Sequence, residues 1–244
     1  MKPNQPFFVR QAARKDIAAL VEVERRTFGA SGTDCYGEDY FSAWLDIHPE
    51  GLWLAESAGR AVGYGYAQGF RFEFDRLNEL TTHDEVTDCG YTRSTHRPDG
   101  NSLYGLAIAS IAPGAGRALL GHMLDLTRRL GKTYFLGSAR IAGFDNYMKT
   151  LEDGGHPVLG AASEAEIALW YAHACAEMTR SKVWPTMPRK PALALPTPAG
   201  PDPVLNKHIA FSGYGMASLL PKYMRDPQSR HYGVCVVYRN PEIR

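Results

Sequence analysis

Four cysteines lie far apart in the 244 residues, at Cys35, Cys89, Cys175 and Cys235, and no two share the two-residue spacing of a metal or redox motif. Neither a disulfide scaffold nor a cysteine zinc cluster is expected, and the thiols are read as reduced. The eight histidines never fall at the i, i+4 or short-loop spacings by which ligands converge, so no metal is expected. Charge of one sign is lacking too: the net charge is +1 and there is no basic run of five or more. That removes the electrostatic footprint of a nucleic-acid binder or of a protein held on an anionic membrane. No stretch reaches the roughly 18 apolar residues of a membrane span, and MKPNQPFFVRQ holds no apolar run like that of a signal peptide. The expected address is the cytosol.

What is present suits one compact enzyme domain over residues 1–244, of mixed α/β class, acting on a small-molecule or protein-carried substrate. Apolar residues make up 44% and charged residues 22%, ordinary for a globular chain long enough to bury a large core. The most informative stretch is LYGLAIASIAPGAGRALLGHMLDLTRRLG, residues 103–131. An apolar strand there runs through a glycine-bearing turn into an amphipathic helix, with Leu119, Met123, Leu126 and Leu130 on one face and Gly131 as its stop. The first turn of such a helix leaves backbone N–H groups unpaired at the positive end of the dipole, which makes a seat for a pyrophosphate. Gly114 and Gly116 let a phosphate come close to the backbone.

Elsewhere, Asp16 reads as a first-turn acid of a helix, and Tyr40, Phe41, Trp44 and Leu45 mark a second, short one. Residues 52–56 and 61–68 alternate as a hairpin joined by Ser57, Ala58, Gly59 and Arg60, with Gly63 and Gly65 marking close backbone approach or a bulge. Residues 69–102 read as an extended loop. Residues 150–203 form an insertion. Within it Ser163 and Glu166 make a capping box, and Ile167, Trp170 or Tyr171, Ala174 and Met178 share a face that fits a lid or an oligomer contact. Seven prolines from Pro185 to Pro203 then favour a stiff, extended connection.

Several of these segments together resemble the GCN5-related N-acetyltransferases, the GNAT superfamily. FFVRQAARKDIAALVEVERRTF (7–28) looks like the family's first strand and helix, and GLWLAESAGRAVGYGYA (51–67) like its second and third strands. THRPDGNSLYG, SARIAGFDNY and DPVLNKHIAFSGYG resemble a subgroup fused to nitrilase-like amidohydrolases; DPVL followed by His208 is also similar to GNAT-like domains of polyketide loading modules. The resemblance implies a central mixed, mostly antiparallel sheet of about seven strands, splayed between the fourth and fifth and flanked by helices. It implies an acyltransferase taking acetyl or another short acyl group from a coenzyme A thioester to an amine of a small molecule, by direct attack in a ternary complex. The carrier-protein alternative is acyl transfer from or to a phosphopantetheine thiol; the non-catalytic one is a coenzyme A-binding protein. A homodimer fits either.

By the same resemblance, Ile108, Ala109, Ser110, Ile111, Gly114, Ala115, Gly116 and Arg117 hold the donor, with a backbone N–H among 108–111 polarising the thioester carbonyl. Residues 106–110 and 136–140 would wall the pantetheine arm. Two departures stand out: Ile111 occupies the place of a long polar side chain, and Pro113 removes an N–H from the turn. Ile209 stands where a tyrosine is usual, which makes the adjacent His208 the candidate acid or base, or else a histidine packed on a helix flank. Ser138 joins it as a catalytic candidate. Arg140, two residues on, would bind a carboxylate or pair with Asp145. Phe28, Trp44 and Tyr223 are the acceptor-side candidates, with Trp44 alternatively core. Glu24, Glu73, Asp75 and His96 are carboxylates and an imidazole that could reach an acceptor.

Overall fold

The computed structural model describes residues 7–30, 35–211 and 213–243, which divide into two compact units. The first comprises residues up to 72, 83–135 and the C-terminal end from 240; the second comprises 73–82 and 136–239.

In the first unit, β1 (Phe8–Gln11), β2 (Leu52–Ser57), β3 (Arg60–Phe70) and β4 (Ser102–Ser110) lie side by side in that order, each pair antiparallel. The β2–β3 hairpin closes through Ala58 and Gly59, both at positive φ, the backbone that matches the twist of a two-residue turn. Alternation along β2 sorts its side chains onto two faces. Leu52 and Leu54 join Leu20 and Val23 of α1 (Ile17–Phe28) and Phe41 and Trp44 of α2 (Glu38–Ile47), whereas Trp53 and Ala55 meet Ala115 and Leu119 of α4 (Ala115–Arg129). Between β3 and β4 the chain makes a 3-10 turn, Phe74–Glu79, which belongs to the second unit, and then α3 (His83–Thr87). The stretch expected as an extended loop is therefore punctuated by short helices, and its first two residues prolong β3.

Asp16 is not a simple first-turn acid. It closes a 3-10 turn ahead of α1, and its carboxylate receives Arg10 at 2.7 and 2.8 Å and the Ala13 N–H at 2.8 Å. The Arg10 hydrogen bonds hold that carboxyl below the usual range. Arg10 also reaches Glu56 at 2.7 Å, so one guanidinium ties β1, β2 and the entry to α1.

Helix α4 is held down by its apolar face, with Leu119, Met123 and Leu126 buried. Gly65 of β3 admits it, because a Cβ there would stand 2.6 Å from the Met123 Cε. Leu130, expected on the same face, lies past the last helical turn and is 38% exposed. The helix ends in a Schellman arrangement: Gly131 N–H bonds Arg128 O and Lys132 N–H bonds Thr127 O, both at 2.9 Å, with Gly131 at φ +60°.

In the second unit the strand order is β5 (Tyr134–Arg140), β8 (Gly233–Arg239), β7 (Tyr214–Leu220), β6 (Lys182–Val183). The first two residues of β5 belong to the first unit. β7 and β8 are antiparallel and β6 runs parallel to β7, so eight strands in all, one more than expected, make the arrangement mixed. Three helices accompany them: α5 (Phe144–Asp153), α6 (Glu164–Thr179) and α7 (Leu205–Ile209).

The capping box of α6 forms as the sequence indicates, with Ser163 N–H on Glu166 at 2.8 Å and Glu166 N–H on Ser163 Oγ at 3.3 Å. The helix is buried nearly all round, however, including Ala168, Ala172, Cys175 and Ala176, while Met178 is 37% exposed. The face that fitted a lid or oligomer contact is thus spent inside the unit. The proline-rich segment runs without regular structure across this region. Its Pro188 carbonyl contacts His173 Nε2 at 2.8 Å, Lys190 pairs with Glu177 at 2.6 Å and stands 4.8 Å over Trp170, and its Pro196 carbonyl accepts from Tyr147.

Replacing Gly131 by Ala puts a Cβ into a left-handed residue and should cost about 1 kcal/mol. The urea midpoint would fall with no change of slope; an unaltered midpoint would remove Gly131 from the stop of α4.

Candidate active site

The first unit carries the strand, turn and helix expected to seat an anion. Gly114 precedes α4 at φ +93°, a conformation only glycine adopts without strain, and no side chain caps the helix. Ala115 N–H turns back on Ala112 O at 3.2 Å and Ala118 N–H takes Gly114 O at 3.1 Å; Gly116 lies between them in the first turn. Pro113 and Gly114 are exposed, so Pro113 does not bury the helix start. The Phe7 ring flanks it, 3.1 Å from where a Gly114 Cβ would be. At Gly116 a Cβ would meet the Ser110 Oγ at 3.2 Å, so the seat is drawn close against the end of β4. Arg117 is exposed beside it.

Strand β4 offers fewer donors than the resemblance implied. Ile111 N–H bonds Val62 O at 2.9 Å, and Ser110 stands opposite Gly63 in the antiparallel register. Hydrogen-bonded and non-bonded pairs alternate along such a ladder. The amides of Ile111 and Ala109 are therefore turned to β3 and cannot polarise a thioester, whereas those of Ile108 and Ser110 turn away from β3. A register shift at Tyr66 and Ala67 leaves Leu106 as the extra residue of β4, a bulge midway along this wall.

Of the acceptor-side candidates of this unit, Trp44 is core and Phe28 only partly buried. Trp44 is 0% exposed, stacks on Tyr66 with centroids 4.5 Å apart, and donates its indole N–H to Gly90 O at 2.7 Å. Tyr36 and Phe41 meet it edge-on. With Tyr64 and Tyr66 these rings enclose a fully buried side chain, which lines no open surface among the described residues. Phe28 is half-buried against the same cluster. Glu24 is buried, accepting from Tyr64 O–H at 2.6 Å and Tyr36 N–H at 3.1 Å; desolvation raises its pKa. His96 accepts from Gly69 N–H at 3.0 Å. His48 lies 4.8 Å from it, ring to ring, with a buried Nε2 that has no hydrogen-bond partner among the described residues. Burial, then the nearby His96 and Lys132, push His48 down to about 4.

The second unit carries the remaining candidates. Ser138 and Arg140 are half-buried on alternate positions of β5, hence on one face. Arg140 contacts Asp226 at 3.2 Å rather than Asp145, which is taken by Lys149 at 2.6 Å and Arg230 at 3.0 Å. Tyr223 is 1% exposed and packs near Gly233, so it is a core residue of this unit. His208 lies on α7, half-buried, its ring edge-on to Tyr214 at 6.4 Å. Burial, helped by Lys207, pushes His208 down to about 4, so it is a neutral imidazole at pH 7. Glu73 and Asp75 are exposed.

Sequence reasoning missed the buried carboxylate of Asp202. It accepts from Val204 and Leu205 at the start of α7, from Gly143 after β5 and from Tyr171 of α6. The available signal was an Asp directly before Pro and a short apolar run, the pattern of an Asx turn into a helix.

The four cysteines are free, and no cluster of three or more His, Cys, Asp or Glu among the described residues could hold a metal ion. Among them too, no helix is long and apolar enough to cross a membrane.

No family model and no curated protein matches the sequence. Among solved structures, the chain is similar to the GphF GNAT-like decarboxylase in complex with isobutyryl-CoA, at 21% identity over 95% of this chain and 98% of that one, with a TM-score of 0.67. It is similar also to the loading GNATL domain of CurA from Lyngbya majuscula, at 18% identity over 96% and 98% of the two chains, TM-score 0.64. The chain has the fold of the GNAT superfamily.

Both His48 and His208 are held neutral in the fold, with pKa values below the unfolded value of about 6.5. The unfolded chain therefore binds more protons as pH falls, so their stabilisation is complete above pH ~6.5 and is lost down to about 4. Stability should drop by about 2 kcal/mol per histidine between pH 7 and pH 5. Urea titrations of the protein and of His48→Gln at both pH values would show the variant losing less; equal losses would remove His48 from the acid response.

Proposed function

We propose that the protein binds an acyl-CoA through its diphosphate at the start of α4 and passes the acyl group to a thiol, that of a carrier protein's phosphopantetheine, in preference to an amine. The observation that carries the first part is the first turn of α4, uncapped by any described side chain and led in by the exposed Pro113 and Gly114. Gly116 and its neighbours would hold the diphosphate, and the outward amides of Ile108 and Ser110 would face the thioester carbonyl.

The choice of a thiol is supported by proton chemistry. An amine of pKa near 10 arrives as an ammonium and needs a base matched to it, whereas a thiol of pKa near 8.5 is partly ionised at neutral pH. His208, held at about 4, is a weak base for either and poorest for the ammonium. The aromatic rings expected to wall an amine pocket in the first unit are packed on one another. The likeness to a loading domain over nearly the whole of both chains supports the same choice.

A second reading is favoured by the neutral state of His208 and by the likeness to a decarboxylase. Loss of CO2 from an α-carboxylated acyl thioester breaks a C–C bond and leaves its electrons on the thioester oxygen as an enolate. That step calls for a hydrogen-bond donor rather than a base, and a neutral imidazole N–H is one.

The deciding experiment gives the protein short acyl-CoA and α-carboxyacyl-CoA donors with a holo carrier protein or a panel of amines, and follows acylated carrier by intact mass together with CO2 release. Carrier acylation is the expected result; acylated amine without carrier acylation overturns the thiol reading. Gly116→Glu should weaken acyl-CoA binding at least about 100-fold by calorimetry, because its charge enters the diphosphate seat. Unchanged affinity would discard that seat. His208→Ala should lower kcat at least about tenfold with KM for the donor kept within about twofold.

A further inference from the structure

We propose that Asp202 is the positioning residue for His208, fixing the angle at which α7 holds the imidazole; this rests on the function proposed above. Asp202 is 0% exposed. Its Oδ1 accepts the N–H groups of Val204 and Leu205, both at 2.9 Å, and its Oδ2 accepts Gly143 N–H at 2.8 Å and Tyr171 O–H at 3.3 Å. Among the described residues it makes no ion pair, so its charge is met by directional backbone and phenol donors alone. A point cation tolerates sliding, whereas four donors aimed at two oxygens fix both position and rotation of the group.

Three elements meet at that carboxylate. Gly143 is the third residue beyond β5, the strand that carries Ser138 and Arg140. Tyr171 comes from α6, and Val204 and Leu205 open the helix that carries His208. The junction is close: a Cβ on Gly143 would stand 2.6 Å from Tyr171 Oη and 3.3 Å from Asp202 Oδ2. Helix α7 has five residues, far too few to hold a helical form by itself. Its far end is tied separately, through Ser181 Oγ on Ile209 O at 3.0 Å and through the buried Ile209 side chain. Loss of the Asp202 tie would therefore free the first turn of α7 while leaving its end anchored. His208 would swing, and a misplacement of about 1 Å costs on the order of 100-fold in rate.

A simple cap and a positioning junction are separated by Asp202→Ser in the full chain. Serine still accepts from the first-turn amides but cannot reach Gly143 and Tyr171 together. The readouts are kcat and KM for the acyl-CoA and the titration of His208 by NMR of labelled histidine, assigned with His208→Ala. Expected are a fall in kcat of about tenfold or more, KM kept within about twofold, and a His208 titration moved up towards the ordinary histidine value. Wild-type kcat with an unmoved titration overturns the proposal. Tyr171→Phe removes one donor only and should lower kcat about threefold with the same upward movement, so it carries the test if the serine variant does not fold. Normal kcat and titration there would equally sink it. If the unaltered protein turns over no acyl thioester, the proposed function fails, and the His208 titration in Asp202→Ser still reports whether Asp202 places the ring.

Discussion

The first turn of α4 carries backbone amides that its own helix pairs only in part, and among the described residues no side chain caps it. An exposed helix start is tolerable only if the rest of the helix is secured elsewhere. Leu119, Met123 and Leu126 do so, with Gly65 admitting Met123 against β3 and the Schellman turn at Gly131 satisfying the opposite end. Gly114 then brings the chain from β4 into the helix with a backbone sign that other residues resist. The same economy governs β4, where the ladder with β3 consumes every second amide and leaves Ile108 and Ser110 turned the other way.

The second unit poses the opposite problem, a carboxylate buried away from the surface. Asp202 solves it with four donors from three elements, and the cost of disturbing a buried carboxylate is what makes the junction firm. A comparable device acts at the surface, where Arg230 gathers Asp145, Glu152 and Glu164 and so fastens α5 and the start of α6 to the turn before β8. Both devices tie α6 to the rest of the unit, Asp202 to the chain just beyond β5 and Arg230 to the turn before β8. The insertion is thereby part of the unit's framework.

Local patterns were readable from the sequence where one short segment contains the whole cause. The Gly-Ala-Gly turn between an apolar strand and an amphipathic helix, the Ser163–Glu166 cap, the hairpin at Ala58–Gly59 and the irregular proline-rich run are of this kind. What depended on distant partners was not readable. Asp202 meets Gly143 and Tyr171 across 59 and 31 residues. Trp44 offered the same pattern whether core or pocket wall, and its burial against Tyr66 of β3 separates the two. Glu24 was legible as a carboxylate but not as one enclosed by Tyr64 and the Tyr36 backbone. Helix α6 has little amphipathic contrast because the proline-rich segment covers what would otherwise be its outer side, and periodicity cannot report a cover that comes later in the chain.

That segment has one more effect, at the border of the second unit. β6 spans only Lys182 and Val183, after which Trp184 N–H takes Met216 O at 2.8 Å, Trp184 Nε1 takes Val237 O at 3.1 Å and Thr186 Oγ1 takes Ala217 O at 3.0 Å. The Met216 and Ala217 carbonyls of β7 are thus already engaged, and Pro185 and Pro188, lacking N–H groups, cannot extend the ladder. Beyond the two residues of β6, this stretch of the β7 edge is therefore poorly suited to receive another strand.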